Sequence, residues 1–554
     1  MSIFNRTVFA SSGRAVLLLG AILISLAFLA APCWAQQFET DKLLASDGGA
    51  FDGFGNSISL SGDWALVGAW CDDVNEWNSG SAYVFAYDSV SGMWHEEAKL
   101  VASDGADGAF LGCSSALFGI RALIGAYGDD DNGDESGSAY LFVHDSVSGT
   151  WQEEAKLLAS DGAYGDNFGY SVVLHGDRAL VGAAGDDTER GSVYVFGYDS
   201  VSGTWQEEAK LIASDGAPYD RFGCSVALYE ERVLIGSRYD DDNGSLSGSA
   251  YVFRYDSLNG TWHEEAKLVA SDGDAEDRFG GSVALFGDRA LIGVYGDDDN
   301  GYSSGSAYLF VYDSVSGSWH EEAKLTASDG VDDDRFGYSV ALRGTRALIG
   351  ARNDDDNGGD SGSAYLFEYD SGSGTWHEEA KLLASDGWHW AGLGCSVALS
   401  GDNALVGAPG YTGETGQGTG AAYVYDFTST LALDAKCNGE DQNVIVNSGE
   451  NVTLTIDIDN GYHPNLEGDL WVVAILPIPG WNTWTYGPWM NPFWRLGAGN
   501  VYYTGPPLNH AATVCDQPLP PGSYKLCLAV DAVPNGVLDL TALWDFDVVD
   551  FTVQ

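Results

Sequence analysis

Positive charge is scarce in this chain. Lys and Arg together number 25 against 81 Asp and Glu, for a formal net charge of −56. Phosphate recognition needs basic clusters, so nucleic acid is excluded as a partner; cations and basic surfaces suit the field instead. Past Ala31 no run reaches the ~18 uninterrupted apolar residues of a membrane-spanning helix, so no membrane span is expected in the mature chain. Catalytic signatures are missing as well. There is no His-Glu-x-x-His, nucleophile elbow, phosphate-binding Gly loop or Cys-x-x-Cys. Helical periodicity is absent throughout. Disorder is excluded too, because 45% of residues are hydrophobic and 12% aromatic.

The chain opens on an address. Arg6 and Arg14 precede an apolar run from Ala15 to Ala31, and Cys33-Trp34-Ala35 supplies a small-residue cleavage pattern. Residues 1–35 therefore read as a secretory signal peptide. A lipoprotein anchor through Cys33 is the alternative, which Pro32 fits poorly. Export to the extracellular space, cell surface or periplasm is expected. Of the remaining cysteines, Cys113, Cys224 and Cys395 share one repeat position and read as small buried hydrophobes. One pair among Cys437, Cys515 and Cys527 could bridge in an exported protein, with the pairing open.

The dominant feature is a repeat. Phe-Gly or Leu-Gly recurs at Phe54, Leu111, Phe168, Phe222, Phe279, Phe336 and Leu393, spaced by 57, 57, 54, 57, 57 and 57 residues. Each unit holds four short aromatic and β-branched runs separated by Gly, Asp, Asn and Ser turns. Seven four-stranded units predict an all-β, seven-bladed β-propeller over residues 36–430. Six outer strands begin at Trp94, Trp151, Trp205, Trp262, Trp319 and Trp376, whereas the seventh unit ends at Asp426 without one. The seventh Lys-Leu stands near the mature N-terminus, at Lys42-Leu43. An N-terminal strand is thus expected to complete the last blade and close the ring.

Phe336-Gly337 followed by Gly350-Ala351, and Gly407-Ala408-Pro409 in the last unit, resemble the FG-GAP repeats of integrin α-subunit propellers. The likeness is closer to bacterial secreted FG-GAP proteins with Trp…Lys-Leu…Ser-Asp-Gly units, and it spans residues 38 to 427. The resemblance implies the propeller fold and, by analogy, adhesion. Integrin-type calcium loops would lie between the Phe-Gly and Gly-Ala-Pro strands, where this chain has short turns such as Phe286-Gly287-Asp288. No integrin calcium ligand carries over.

Antiparallel strands place alternate loops on one face. That face gathers Asp129-Asp130-Asp131, Asp240-Asp241-Asp242, Asp297-Asp298-Asp299 and Asp354-Asp355-Asp356. Adjacent carboxylates repel by ~1 kcal/mol in water and ~4 kcal/mol near a protein surface at 4 Å. They call either for calcium, which suits oxygen ligands, or for a solvated turn with Arg221, Arg278 and Arg335 neutralising neighbours. The repeat breaks at Trp388-His389-Trp390 and between Trp70 and Trp77, which fall in the neighbouring last and first units. These aromatics form either a stacking platform for sugars or partner side chains, or a seal at the ring closure.

From Leu431 the period stops. Alternating runs such as Val452 to Ile458 suggest a β-sandwich, immunoglobulin-like, over residues 431–554, with Trp481, Trp484, Tyr486, Trp489, Phe493 and Trp494 in its middle. The leading functional expectation is a non-enzymatic binding or adhesion protein offering an acidic face to an extracellular protein or glycan. A polysaccharide-active enzyme on the same scaffold is the alternative.

Overall fold

The computed structural model describes residues 35–412 and 418–427, and further on the backbone of eight strands between residues 432 and 553. The expected signal peptide lies, apart from Ala35, outside the described residues. Seven sheets follow one another; in six of them four antiparallel strands succeed one another in sequence order, and the seventh takes its fourth strand from elsewhere in the chain. Blade 1 consists of Phe54–Ser61, Trp64–Ala69, Ser81–Asp88 and Met93–Leu100, from the axis outward. The inner strands of blades 2 to 7 are Ser114–Phe118, Phe168–His175, Phe222–Tyr229, Ser282–Phe286, Phe336–Arg343 and Ser396–Ser400.

The Phe-Gly step welds each blade to the next. A serine of every inner strand donates its Oγ proton to the carbonyl of the following blade's Phe-Gly or Leu-Gly glycine. Ser57 reaches Gly112 and Ser114 reaches Gly169, each at 2.8 Å. The series runs through Ser171, Ser225, Ser282 and Ser339 to Ser396, which donates to Gly55 of blade 1 at 2.8 Å. Only glycine fits there. Gly55 has φ +93°, and a Cβ would lie 2.3 Å from the Ala421 carbonyl oxygen. The preceding phenylalanine is fully buried and meets the third-strand tyrosine edge-on, as Phe54 does with Tyr83 at 5.4 Å.

The fourth strand of blade 7 comes from the other end of the chain. Asp41–Leu43 pairs antiparallel with Ala421–Asp426, Asp41 opposite Val424 and Leu43 opposite Ala422. Just before it, Ala35–Phe38 runs parallel along the outer strand of blade 6, Thr375–Leu383.

Outer strands carry a bulge that gives their two glutamates different tasks. In blade 2, Glu153 opposes Phe142 and Ala155 opposes Leu141, so Glu154 is the extra residue. Glu154 is turned toward Arg121 of its own blade and also accepts the Trp205 indole proton from the next. Glu153 instead accepts the backbone and hydroxyl protons of Ser103. Beyond the propeller, strands form one sheet of three and one of five. The immunoglobulin-like packing, the aromatic cluster from Trp481 to Trp494 and any cysteine bridge lie outside the described residues.

Candidate binding face and its lysine nodes

Each acidic loop closes around a lysine from the outer strand. Lys381 Nζ lies 2.8 Å from Asp329, 2.8 Å from Asp354 and 2.6 Å from Asp356. The Tyr365 hydroxyl shares its one proton between Asp329, at 2.7 Å, and Asp354, at 2.9 Å. Lys156 holds Asp104, Asp129 and Asp131 in the same way. Lys267 holds Asp215, Asp240 and Asp242, and Lys324 holds Asp272, Asp297 and Asp299. Simpler nodes join Lys99 to Asp47 and Asp72, Lys210 to Asp161 and Asp186, and Lys42 to Asp386.

The middle aspartates serve the backbone. Asp130, Asp241 and Asp355 accept the N–H groups of Glu135, Leu246 and Asp360 at 2.7 to 2.8 Å, and Asp298 is exposed at the matching place. The first aspartate of each triplet also accepts the third residue's N–H, as Asp129 does from Asp131. These carboxylates do not fit a calcium ion, because the first and third aspartates of each triplet already face an ammonium and the middle one caps a turn in three of the four. Among the described residues no group of three or more His, Cys, Asp or Glu is arranged to hold a metal. The expected arginine neutralisation holds at Arg221 and not at Arg278. Arg221 pairs with Glu189, and Arg278 lies over the Tyr295 ring. The lysine was visible in every repeat, but only the closed blade shows that it crosses to the acidic loops.

Charge follows this geometry. Burial alone would raise the Asp329 carboxyl, yet Lys381 and Tyr365 hold it below its ordinary value. Lys210 and then Tyr194 hold Asp161 low. A different aspartate, two residues before the Phe-Gly step, is pushed the other way. Burial raises Asp277 and Asp334 to about 6, against one backbone hydrogen bond each, and the Asp297 and Asp354 carboxylates add to the rise.

The aromatic departures do not gather into one platform. Trp388 and Trp390 are exposed at the junction of blades 6 and 7, where His389 Nδ1 accepts the Gly359 N–H at 2.7 Å. Trp77 is exposed between blades 1 and 2, its carbonyl accepting from Gly108. Among the described residues no ring contact joins Trp77 to the Trp388–Trp390 group. Other junctions show Phe51, Tyr164, Tyr219 and Tyr302, so exposed rings mark most of the rim, from 57% exposure at Trp388 to 78% at Phe51.

Trp70 turns inward instead. It meets Phe110 at 5.4 Å, Phe110 stacks on Tyr127 at 5.2 Å, and Tyr127 meets Tyr170 at 6.0 Å. Arg238 donates to the Tyr170 hydroxyl at 3.1 Å, and Tyr295 meets Tyr338 at 5.6 Å. Arg352 donates to the Tyr338 hydroxyl at 2.7 Å. These residues stand at the ends of the inner and second strands in six consecutive blades, so they ring the axial mouth. Sequence reading missed this array. Its signal was the first position after each second strand, which reads Trp70, Tyr127, Ala184, Arg238, Tyr295, Arg352 and Pro409 in otherwise near-identical units.

The family model described as FG-GAP repeat matches seven times, over residues 37–85, 94–142, 151–196, 205–253, 262–310, 319–367 and 376–425. The chain belongs to the FG-GAP repeat family. Six of the seven FG-GAP matches start on one blade's outer strand and end in the third strand of the next, as Trp94 to Phe142 shows, and the first starts at Gln37 on the strand added to blade 6. The sequence repeat is therefore offset by one strand from the blade. Among solved structures, this FG-GAP chain is similar to Sqt1 of Saccharomyces cerevisiae, at 11% identity and TM-score 0.40, covering 71% of this chain and 99% of that one. It is also similar to a chain of RAG in complex with one melted and one unmelted RSS, at 13% identity and TM-score 0.32, covering 59% and 96%. No curated protein matches it by sequence. On the opposite face of the FG-GAP ring, Val90, Val147, Val201, Leu258 and Val315 tip five outer hairpins, at 93 to 95% exposure. They stand one per blade, as isolated residues rather than a patch.

Proposed function

We propose that this FG-GAP propeller is an exported, non-enzymatic binding protein that offers its loop face to an extracellular protein or glycan. The observation that carries this reading is the rim of exposed rings, Phe51, Trp77, Tyr164, Tyr219, Tyr302, Trp388 and Trp390, where the other large aromatics among the described residues are mostly buried or half-buried. Solvent-facing Tyr and Trp supply contact area at low entropic cost and stack on sugar rings or partner side chains. The acidic loops beneath them act as rigid supports, because each carboxylate node carries its own lysine. Calcium has no part in this reading.

Screening the full chain on a glycan array and against extracellular proteins, with product analysis of every hit, tests the proposal. Binding without turnover is expected, weakened by Trp388→Ala with Trp390→Ala while the melting temperature holds. Turnover would favour the alternative, a polysaccharide-active enzyme. The raised carboxyls of Asp277 and Asp334 are the observation on that side. Both are buried and engaged by the backbone of their own loops, which favours the binding reading.

A further inference from the structure

Acid is so abundant in this chain that nearly every cation finds some. Four arginines of the second strands, Arg121, Arg178, Arg232 and Arg289, lie over tyrosine and tryptophan rings. Each also pairs with a glutamate, namely Glu154, Glu208, Glu265 and Glu322. They are the internal control for three arginines at the axial mouth that lie over rings in the same manner without an acid.

Arg238 lies over Tyr239 at 5.0 Å and Tyr170 at 5.7 Å, Arg278 over Tyr295 at 5.4 Å, and Arg352 over Tyr338 at 4.6 Å. Among the described residues none of the three has a carboxylate oxygen within 4.0 Å. Asp360 acts on Arg352 only through space. The Nε atoms of all three are buried without a hydrogen-bond partner. Apart from the bonds from Arg238 to Tyr170 and from Arg352 to Tyr338, their donors have no partner among the described residues. Buried charged donors left unpaired are costly, and here three cluster on blades 4 to 6. A fold rich in carboxylates has left these guanidiniums open.

We infer that the axial mouth, around Arg238, Arg278 and Arg352, is a binding site for a small carboxylate-bearing ligand, a uronate sugar. A planar carboxylate matches the guanidinium fork. The arc of Trp70, Tyr127, Tyr170, Tyr295 and Tyr338 offers ring faces to the C–H face of a pyranose. The net charge of −56 repels an extended polyanion, so the site takes one acidic sugar, free or at a chain end. It is separate from the exposed rim, and either can fail without the other.

Calorimetric titration of the full chain with galacturonate, with galactose as the neutral control, tests the site. Saturable binding of galacturonate and none of galactose is expected. Arg238→Gln and Arg352→Gln should each weaken it about tenfold or more, as loss of a charge-assisted hydrogen bond does. Tyr338→Phe, which removes only a hydroxyl, serves if an arginine variant fails to fold. A digalacturonate arm tells a free sugar acid from a chain end by which binds more tightly. Equal heats for galacturonate and galactose, no saturable heat with the acid, or full affinity in folded variants would overturn the inference. Retention of rim-dependent binding in those same variants would show that only the axial site had failed.

Discussion

Ser385 donates two hydrogen bonds to Glu39, its backbone N–H to Oε2 at 2.9 Å and its hydroxyl to Oε1 at 2.6 Å, across 346 residues of chain. The same serine–glutamate latch joins Ser46 to Glu96, Ser103 to Glu153, Ser160 to Glu207, Ser214 to Glu264, Ser271 to Glu321 and Ser328 to Glu378. The N-terminal segment thus provides a seventh copy of a contact found at the other six junctions. Lys42 repeats the point by bonding Asp386 at 2.6 Å, as the other outer-strand lysines bond theirs.

Removing residues 36–46 takes away Glu39, Lys42 and the strand that covers the edge of Ala421–Asp426. The truncated chain should melt several degrees lower and less cooperatively, as followed by calorimetry. Glu39→Ala alone should cost about 1 kcal/mol or less, because the latch is exposed. A truncation that melts with the full chain contradicts closure by this strand.

Lys381 and Asp354 are nearly inaccessible, at 5% and 4% side-chain exposure. Lys381→Met leaves three carboxylates around an apolar end, and denaturant unfolding should show a loss of about 3–5 kcal/mol. The equivalent change at Lys42 faces the partly exposed Asp386 and should cost about 1 kcal/mol or less. Calcium or a chelator should leave the melting of the unmodified chain unchanged. Millimolar calcium should partly rescue Lys381→Met, since the vacated carboxylates then suit it. A clear calcium shift in the unmodified chain would refute the lysine-node account.

Two sets of aspartates pull stability in opposite directions with pH. Asp277 and Asp334 bind protons more tightly folded, at about 6 against an ordinary 3.8, so stability rises as pH falls from 6 toward 4. Asp161, Asp215, Asp272 and Asp329 are held low, so their contribution is complete above about pH 4 and is lost on further acidification. Melting temperature should therefore climb from pH 7 to about 5 and fall below 4. Asp277→Asn with Asp334→Asn should flatten the climb. A flat profile in the unmodified chain between pH 7 and 4 would contradict it.

Burial pushes the Cys71 and Cys113 thiols up to about 11, and raises Cys395 as well. Thiolate is the reactive form, so all three should resist iodoacetamide at pH 8 in the folded chain and react fast in urea. Peptide-level mass spectrometry reads each site separately. Rapid folded-state labelling of Cys113 would show the inner-strand slot to be open.

The repeat made much of this legible in advance. A period near 57 with four turn-bounded runs specifies blades, and the displaced Lys42-Leu43 points to a shared last blade, because local patterning is enough to define strands and their count. The acidic triplets were legible as clusters, but not as lysine nodes. Lys381 and Asp329 are 52 residues apart, and their meeting depends on how neighbouring outer strands stack.

Trp70 and Trp77 make the same distinction at close range. Seven residues apart in one loop, one turns toward the axis and the other faces solvent. By itself the sequence determined the blade, its number and the face on which its charge collects, since these follow from periodicity and strand alternation. Only the tertiary structure decided which charges cancel and which arginines stay open. Those outcomes depend on distances between blades, which no local pattern encodes.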